Sequence, residues 1–371
     1  MDFMKIGYVT LFDYNYGSAL QAFATKAFLE ANGIDAFLIK SKQKSKMINR
    51  LKLLGFCLLH LRNASKIFEI IDSQRSKNQL LSADSESMIK QFIDLRLKPV
   101  CLSDLSKSEL KLFDLFLTGS DQVWNGSHVL NDFFFLRFAD KKRRVAWAPS
   151  FGSKEIASYN FSRYKRYIRS FRKLSVREES GRNIINSICP NTCVEVLSDP
   201  VILLTKKKWA DSLGISDIST IKGQVFCLFL NEPSKRALSY VRELKEKYEY
   251  SFLSLGYKYE SLTELGVAFL DGGPDSFLKH IFCSSLVLTD SFHATIFSLI
   301  SHTPFYAFER QYAHSQNQSV RILDLLSECD LIDRYEPNHC DTWDSISFSA
   351  FDITCERKKE TFRQYLLKIH E

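Results

Sequence analysis

The sequence predicts an α/β protein with two Rossmann-like domains facing across a cleft, and three observations support this fold class. The chain has 371 residues, which exceeds what one ordinary hydrophobic core holds and suits two domains. Hydrophobic residues make up 45% of the sequence and aromatic residues 13%, which is ample material for packed sheets. Short hydrophobic runs alternate with amphipathic segments, a pattern typical of parallel strands joined by helices.

The first series of elements opens with a strand, a helix and a second strand. Residues 5–11 (KIGYVTL) have the composition of a strand, and residues 18–33 place apolar side chains at helical spacing, with Gly33 as the C-terminal cap. The next strand is predicted at residues 35–40 (DAFLIK) and a polar helix at about 84–97. Further hydrophobic runs end in Gly, Ser, Asp or Arg: LFDLFLTGSD, RVAWAPSFG, RKLSVREESG and VEVLSDP. A parallel sheet places its chemistry at strand ends of this kind.

A second series follows residues 205–223 (TKKKWADSLGISDISTIKG), which have the composition of a connector. The predicted strands are QVFCLFLN, YSFLSLG, SSLVLTD and TPFYAF, separated by the helices SKRALSYVRELKEKY, DSFLKHIFC and ATIFSLIS. We therefore expect one Rossmann-like domain over residues 1–210, with a basic helical insertion at 40–80, and a second over residues 211–345. Residues 346–371 are predicted to form a helix that crosses back.

The positive charge of the chain is concentrated in one segment. The chain carries a net charge of +7, but residues 36–68 hold eight Lys or Arg and no acid, so the remainder has a net charge of −1. We therefore expect no nucleic-acid partner, which would call for a basic face on the whole domain. Residues 40–66 contain the apolar stretch MINRLKLLGFCLLHL (residues 47–61), which is too short and too basic to span a bilayer. They are predicted either to contact an anionic membrane surface or to form a core helix with a solvated basic flank.

The cysteines and the absence of several well-known motifs limit the compartment and the enzyme classes that fit this sequence. Nine cysteines are scattered along the chain, and Asp2 and Lys5 interrupt any hydrophobic leader, so we expect a cytoplasmic protein with reduced thiols. Cys189 and Cys193 have no second pair near them, and no metal site is expected. The sequence contains no G-x-G-x-x-G, P-loop, H-E-x-x-H or G-x-S-x-G motif. Simple dehydrogenase, nucleoside triphosphatase, zincin and hydrolase functions are therefore excluded.

Polar and charged residues follow several of the predicted strands. Gly17 lies where the backbone could approach a ligand, although a plain turn and helix cap fits it equally well. Residues 119–125 (GSDQVWN) gather an acid, two amides and an indole. Arg177 and Glu178 lie at the end of a strand, where a guanidinium either binds a carboxylate or phosphate or forms a structural pair with a nearby acid.

Residues 287–305 (VLTDSFHATIFSLISHTPF) place a histidine at the junction of a strand and a helix. The hydrophobic run ends at Thr289, Asp290 and Ser291, and His293 lies where the apolar helix begins. A buried histidine is usually a hydrogen-bonded core residue. In open α/β sheets, however, ligands bind beyond the carboxyl ends of the strands, where the next helix N-terminus favours an anion. His293 is therefore a candidate functional residue.

Taken together, these motifs resemble the polysaccharide pyruvyl transferase family. The resemblance covers most of residues 5–335 in the family's order, and the basic segment and the last thirty residues lie outside it. The motifs that carry it are DYNYGSALQAFA, LTGSDQVWN, AWAPSFGS, LSVREESG, VLSDPVILL, VLTDSFHATIFSLISHTPFYAFER and SVRILDLLSECDLIDR.

The resemblance implies a GT-B-like fold with the acceptor on the side of the N-terminal domain and the donor on the side of the C-terminal domain. The implied reaction transfers the enolpyruvyl group of phosphoenolpyruvate to a sugar of a cell-surface polysaccharide or of its lipid-linked precursor. It forms a pyruvate ketal, releases phosphate and requires no cofactor. A lipid-linked acceptor would bring the enzyme to the inner face of the cell membrane as a peripheral protein.

The resemblance also assigns the site. His293 and Arg177 are the implied catalytic residues, His293 acting beside phosphoenolpyruvate as acid, base or phosphate ligand. An arginine fork and helix N-termini suit the carboxylate and phosphate of this donor. The implied substrate-binding residues lie at the strand ends: Asn15, Tyr16, Gly17, Ser18, Asp121, Gln122, Trp124, Asn125, Ser150, Phe151, Gly152, Glu178, Asp290, Ser291 and Arg310.

One position departs from the family pattern. Several members carry an arginine two residues before the histidine, where this chain has Ser291. The second contact with the anionic donor must then come from another cation, and either Arg310 or Arg321 is available for it.

Two other functions are compatible with the sequence. One is a GT-B glycosyltransferase that uses a nucleotide sugar, since helix N-termini bind diphosphates equally well. The other is a non-catalytic glycan-binding subunit of envelope assembly, against which the presence of both Arg177 and His293 argues.

Overall fold

The structure is a computed structural model that describes residues 4–13, 15–42, 81–125, 130–311, 320–337 and 345–370. Two parallel sheets form its framework, and helices connect their strands. The predicted α/β class is therefore confirmed.

The first sheet belongs to the N-terminal part of the chain. Its strands are β1 (Met4–Val9), β2 (Ile34–Lys40), β3 (Val100–Cys101), β4 (Leu115–Thr118) and β5 (Arg144–Ala146). They pair in parallel in the order β3-β2-β1-β4-β5. Beyond β5 lie two short parallel strands, β6 (Ser175–Val176) and β7 (Glu195–Val196). The Ala146 amide of β5 donates a 3.0 Å hydrogen bond to the carbonyl of Lys173, which lies just before β6.

The second sheet repeats this topology. Its strands are β8 (Ile221–Leu228), β9 (Ser251–Leu255), β10 (Ala268–Leu270), β11 (Ser284–Thr289) and β12 (Phe305–Ala307). They pair in parallel in the order β10-β9-β8-β11-β12. In each sheet the chain moves to one side of its first strand and later returns to the other side. The strand order reverses between β1 and β4 and between β8 and β11, which is where open α/β sheets bind ligands.

The helices follow the strands in the usual alternation. In the first half they are α1 (Tyr16–Ala31), α2 (Ala83–Phe92), α3 (Lys107–Lys111), α4 (Phe161–Ile168), α5 (Glu179–Ile188) and α6 (Lys206–Leu213). In the second half they are α7 (Lys235–Lys247), α8 (Glu260–Glu264), α9 (Pro274–Cys283), α10 (Phe292–Ser301), α11 (Val320–Glu328) and α12 (Ser349–His370). The polar helix expected at about 84–97 is α2, continued by a π-helical turn at Ile93–Leu97.

The segment expected to be a connector contains a packed helix. Helix α6 begins after the cap Thr205 and ends at Gly214, whose φ of +72° closes it. Trp209 is fully buried, and its indole nitrogen donates a 3.1 Å hydrogen bond to the Val201 carbonyl. Helix α6 therefore has a buried apolar face, which its lysine-rich composition did not indicate. The domain boundary near residue 210 falls inside α6, and the domain limits stay a prediction.

Aromatic side chains pack the two halves of the chain against each other. The ring of Tyr16 on α1 stacks on Phe277 of α9 with a centroid separation of 5.2 Å. Trp209 contacts Phe23 on α1 at 5.8 Å and Phe297 on α10 at 5.2 Å. This apolar interface holds the start of α1 close to the start of α10.

Helix α12 lies against the first sheet, although it follows the second sheet in the chain. The hydroxyl of Tyr365 donates a 2.8 Å hydrogen bond to the Ala146 carbonyl, and the Phe362 ring lies 5.3 Å from Trp147. Near its other end, Asp352 lies 2.8 Å from His302 at the end of α10. The helix therefore contacts both halves of the chain.

Across the described ranges, no helix combines the length and the hydrophobicity that crossing a membrane requires. The segment predicted to contact a membrane lies outside the described residues from position 43 onward, as does the basic helical insertion.

Candidate functional site

The carboxyl ends of the two sheets face each other, and residues from five strand ends meet there. Gly17 follows β1, Asp121 follows β4 and Arg177 follows β6. Asp199 follows β7, and His293 follows β11. Two Rossmann-like units that meet in this way have the GT-B-like arrangement. The site therefore lies at both points where the strand order reverses.

The first turn of α1 approaches His293 through a glycine. Asn15 and Ser18 form a reciprocal capping box, in which the Asn15 side chain accepts from the Ser18 amide at 2.9 Å. A Cβ atom added at Gly17 would lie only 2.2 Å from Cγ and Nδ1 of His293. The backbone of α1 thus lies directly against the imidazole. Of the predicted residues here, Gly17 contacts the site, while Asn15 and Ser18 support the helix start that carries it.

The fit between Gly17 and His293 gives a first prediction. Gly17→Ala should lower turnover about 100-fold, because a displacement of about 1 Å in catalytic geometry costs that much. Gly33→Ala is the matched control at the far end of α1: its φ of +74° strains an alanine, but no atom lies within 4 Å of the added carbon. It should lose about 1–2 kcal/mol of stability and keep its activity. Steady-state rates and thermal unfolding of both variants test this, and equal activities would refute it.

His293 is the second residue of α10, a helix capped by Ser291. The Ser291 hydroxyl accepts from the Ala294 amide at 3.4 Å, so this position serves the helix and supplies no cation. His293 is 7% exposed, and its Nε2 lies 3.5 Å from Oδ2 of Asp199. That separation fits an ion pair, and Nε2 has no hydrogen-bond partner among the described residues. The Asp199 carboxylate therefore orients the imidazole, and the hydrogen-bonding capacity of Nε2 is unused within the described residues.

Asp199 lies between the two predicted catalytic residues. It is fully buried, and its Oδ2 accepts a 2.7 Å hydrogen bond from Nη1 of Arg177. Burial alone would raise the pKa of Asp199, but His293, Arg177 and the Val201 amide outweigh it and lower the pKa to about 2. The carboxylate thus remains ionised and can stabilise a protonated His293. Asp199 is not among the site residues that the sequence predicts, although it follows a strand in the segment VEVLSDP.

Arg177 is surrounded by three carboxylates. Besides Asp199, its Nε lies 3.4 Å from Glu178 and its Nη1 lies 3.8 Å from Asp121. Burial alone would lower the pKa of Arg177, but these carboxylates raise it, so the guanidinium stays charged. Arg177 is 6% exposed, and its buried Nη2 has no hydrogen-bond partner among the described residues. One end of the guanidinium is thus fixed, and the other is left to bind a ligand.

Glu178 fixes the loop that follows β5. Its Oε1 accepts hydrogen bonds from the Ser150 hydroxyl at 2.6 Å and from the amides of Phe151 at 3.1 Å and Gly152 at 3.4 Å. Gly152 has a φ of +65°, and a Cβ there would lie 2.5 Å from Oε1 of Gln122. This network holds Glu178 in position beside Arg177.

Other predicted residues lie in the packing around the site. Trp124 is fully buried, stacks on Phe135 with centroids 5.5 Å apart and donates a 3.2 Å hydrogen bond to the Phe134 carbonyl. Asn125 donates a 2.9 Å hydrogen bond to Gln122. Trp124, like the buried ring of Tyr16, thus makes its described contacts with protein. The substrate-binding roles of these residues stay predictions.

The two candidate replacements for the missing arginine are placed differently. Arg310 pairs with Asp290, its Nε lying 3.3 Å from Oδ2 and its Nη2 donating to the Asp290 carbonyl at 2.9 Å. Asp290 also accepts a 2.7 Å hydrogen bond from the Leu230 amide, so the pair ties the ends of β8, β11 and β12 together. Arg321 instead lies 3.9 Å from Asp121, in the cluster of Arg177.

These side chains form what we call the charged cluster: Asp121, Arg177, Glu178, Asp199, His293 and Arg321. Two helix N-termini meet beside it, and their first amides have no partners within the helices. Such helix starts favour an anion. The arrangement can bind a compact anion and can donate or accept a proton at His293.

Solved structures that resemble this one have low sequence identity to the chain. UDP-GlcNAc 2-epimerase from Neisseria meningitidis bound to UDP-GlcNAc is 12% identical, with a TM-score of 0.48 and with 98% of this chain and 100% of that chain covered. A glycosyltransferase from Rickettsia africae is 11% identical, with a TM-score of 0.44 and coverages of 99% and 94%. The similarity concerns the overall fold.

Sequence comparison identifies the family. No curated protein sequence is significantly similar to this chain. The sequence profile of polysaccharide pyruvyl transferases, however, matches residues 15–312, which include Gly17 and the whole charged cluster except Arg321. The chain therefore belongs to the polysaccharide pyruvyl transferase family.

Proposed function

We propose that this protein transfers the enolpyruvyl group of phosphoenolpyruvate to two hydroxyls of a sugar, forming a pyruvate ketal and releasing phosphate. The observation that carries the proposal is the Nη2 atom of Arg177, which has no hydrogen-bond partner within the described part of the chain and lies beside the His293–Asp199 pair, where two helices begin. A donor with a carboxylate and a phosphate needs cationic and amide contacts, and its chemistry needs a proton carrier.

The reaction moves two protons. One sugar hydroxyl adds to C2 of the donor while C3 gains a proton, and the second hydroxyl then displaces phosphate from C2. The proton of the first hydroxyl replaces the one that the acid–base group gave to C3. The proton of the second hydroxyl leaves with phosphate. A single acid–base group can serve both steps.

His293 is the residue we assign to this proton transfer. Its imidazole can accept the hydroxyl proton at Nε2, and the Asp199 carboxylate, 3.5 Å away, stabilises the imidazolium that forms. Because the pKa of Asp199 is lowered to about 2, this carboxylate stays ionised at neutral pH and does not itself take up the proton. Arg177 binds an anionic group of the donor through Nη2, the guanidinium nitrogen that makes no hydrogen bond to a described residue.

The proposal is tested with the full-length protein. Phosphoenolpyruvate should raise its melting temperature, whereas UDP and UDP-sugars should not. Phosphate release should require a glycan acceptor, and mass spectrometry of lipid-linked glycans should show the added pyruvate only in cells that contain the protein. Stabilisation by a nucleotide alone would favour a glycosyltransferase, and donor binding without phosphate release would favour a glycan-binding role.

We also propose that residues 40–66 hold the enzyme at the cytoplasmic membrane face, near a lipid-linked acceptor. The proposal is supported by the eight basic residues and no acids within residues 36–68. Each basic residue near anionic lipid contributes about 1 kcal/mol, and salt weakens this attraction.

Vesicle sedimentation tests this membrane prediction. The protein should bind anionic vesicles at low salt, and changing Lys42, Lys44, Lys46 and Lys52 to Gln should abolish binding. A matched control changes four exposed lysines elsewhere to Gln and should bind normally: Lys107, Lys111, Lys141 and Lys142. If both quadruple variants bind alike, the segment is only a solvated flank.

A further inference from the structure

Two arginines of the charged cluster lie against the same aromatic ring. The guanidinium carbon of Arg177 is 4.9 Å from the centroid of Phe292, and that of Arg321 is 5.3 Å from it. Phe292 is the first residue of α10, next to His293. Arg321, on α11, is 8% exposed. The ring thus places two guanidinium groups beside the candidate acid–base residue.

The same two arginines share a carboxylate oxygen. Nη1 of Arg177 lies 3.8 Å and Nη1 of Arg321 lies 3.9 Å from Oδ1 of Asp121. Both distances exceed a hydrogen bond, whereas the Arg177–Asp199 contact is 2.7 Å. Asp121 is therefore a loose counter-ion between two cations, and the position between them suits an anionic group.

Charge balance shows why Arg177 is insufficient by itself. It faces the three carboxylates of Asp121, Glu178 and Asp199, so without another cation its surroundings would be strongly negative. Arg321 supplies a second full charge, and the two helix N-termini add about half a charge each. With these contributions, the charges of the two arginines, the three carboxylates and the two helix N-termini sum to about zero. The charged cluster can bind a multiply charged anion only when Arg321 and the helix N-termini offset the three carboxylates in this way.

We propose that Arg321 is the second anion-binding residue of the donor site and that it holds whichever donor group, carboxylate or phosphate, Arg177 does not. This inference rests on the proposed function. Phe292 orients both guanidinium groups, and Arg310 takes no part because it is engaged with Asp290. Arg321 is a binding residue in this scheme, since the proton transfer belongs to His293.

Donor affinity in Arg321 variants tests the proposal. Arg321→Gln should raise the Kd and the KM for phosphoenolpyruvate about 10- to 100-fold, the loss expected for hydrogen bonds to a charged group. The KM for the acceptor should not change. Arg321→Lys keeps the charge without the planar fork, so its affinity for the donor should lie between that of the native protein and that of Arg321→Gln. Competition by inorganic phosphate and by lactate, each alone, identifies the donor group that Arg321 holds. If Arg321 holds the phosphate, inorganic phosphate should compete more weakly in Arg321→Gln and lactate should compete as before. If Arg321 holds the carboxylate, the reverse is expected.

A second buried arginine provides the control. Arg334 is 4% exposed and lies 5.3 Å from the ring of Tyr306, outside the charged cluster. Arg334→Gln should lower stability without raising the donor KM. If the native protein binds phosphoenolpyruvate and both Arg321 variants bind it equally well, the inference is wrong and the proposed function stands. If the native protein neither binds phosphoenolpyruvate nor releases phosphate from it, the proposed function itself fails.

Discussion

Replacing His293 with glutamine should lower the rate of transfer about 10²- to 10⁴-fold, the usual contribution of a general acid or base. Stability should change little, because Asp199 keeps its 2.7 Å hydrogen bond from Arg177 and the capping of α10 by Ser291 is untouched. The loss of one contact of about 1 kcal/mol moves the melting temperature of a large domain by about 2–4 °C. Single-turnover rates and thermal unfolding measure the two effects separately.

A second histidine–aspartate pair on the same helix offers a matched control. His302, at the other end of α10, lies 2.8 Å from Asp352 and is far more exposed. His302→Gln removes an imidazole from a comparable pair but should leave the rate of transfer unchanged. If His293→Gln unfolds the protein, or turns over at nearly the native rate, His293 is a structural core histidine.

Replacing Arg177 should damage both stability and donor binding. Arg177→Gln leaves the fully buried Asp199 without its closest partner, and breaking a buried ion pair typically costs about 3–5 kcal/mol. Arg177→Lys retains a charge but offers no planar fork, so it cannot reach Asp199, Glu178 and a ligand together. We expect a smaller loss of stability in Arg177→Lys, with a raised donor KM and an unchanged acceptor KM. Urea unfolding and steady-state kinetics measure these quantities.

Arg144 is the control for this prediction. It is also a buried arginine, but its guanidinium donates to the Ala139 carbonyl and the Ser170 hydroxyl and contacts no carboxylate of the charged cluster. Arg144→Lys should lower stability and leave the donor KM unchanged. A normal donor KM in Arg177→Lys, or an equal rise in the donor and acceptor KM, would show that Arg177 is purely structural.

Strand and helix patterns in the sequence predicted most of the fold because hydrophobic periodicity is a local property of the chain. The strands at residues 5–11 and 35–40 correspond to β1 and β2, and the junction at His293 is the end of β11 followed by α10. The predicted residues Gly17, Arg177 and His293 come together because parallel sheets collect their strand ends on one edge.

Side-chain direction and pairing were harder to predict. Asp199 precedes a proline and caps the short helical turn Pro200–Leu203, so in the sequence it looks like an ordinary cap, although its other oxygen binds Arg177. Trp124 follows a strand as a binding residue would, yet it points into the core. Sequence spacing also could not separate Arg310 from Arg321, because the neighbouring Asp290 captures Arg310 only in the folded chain.

The position of α12 constrains the order in which the protein folds during synthesis. Tyr365, which bonds to the end of β5, is 219 residues away from it in the chain. At about 5–20 residues per second, a ribosome needs about 10–40 s to make that stretch. Throughout that interval the apolar surface around Trp147 stays exposed, because α12 has not yet been synthesised. The second sheet is translated during the same time. Until α12 has been made, the nascent chain therefore presents a transient site for chaperones or for aggregation.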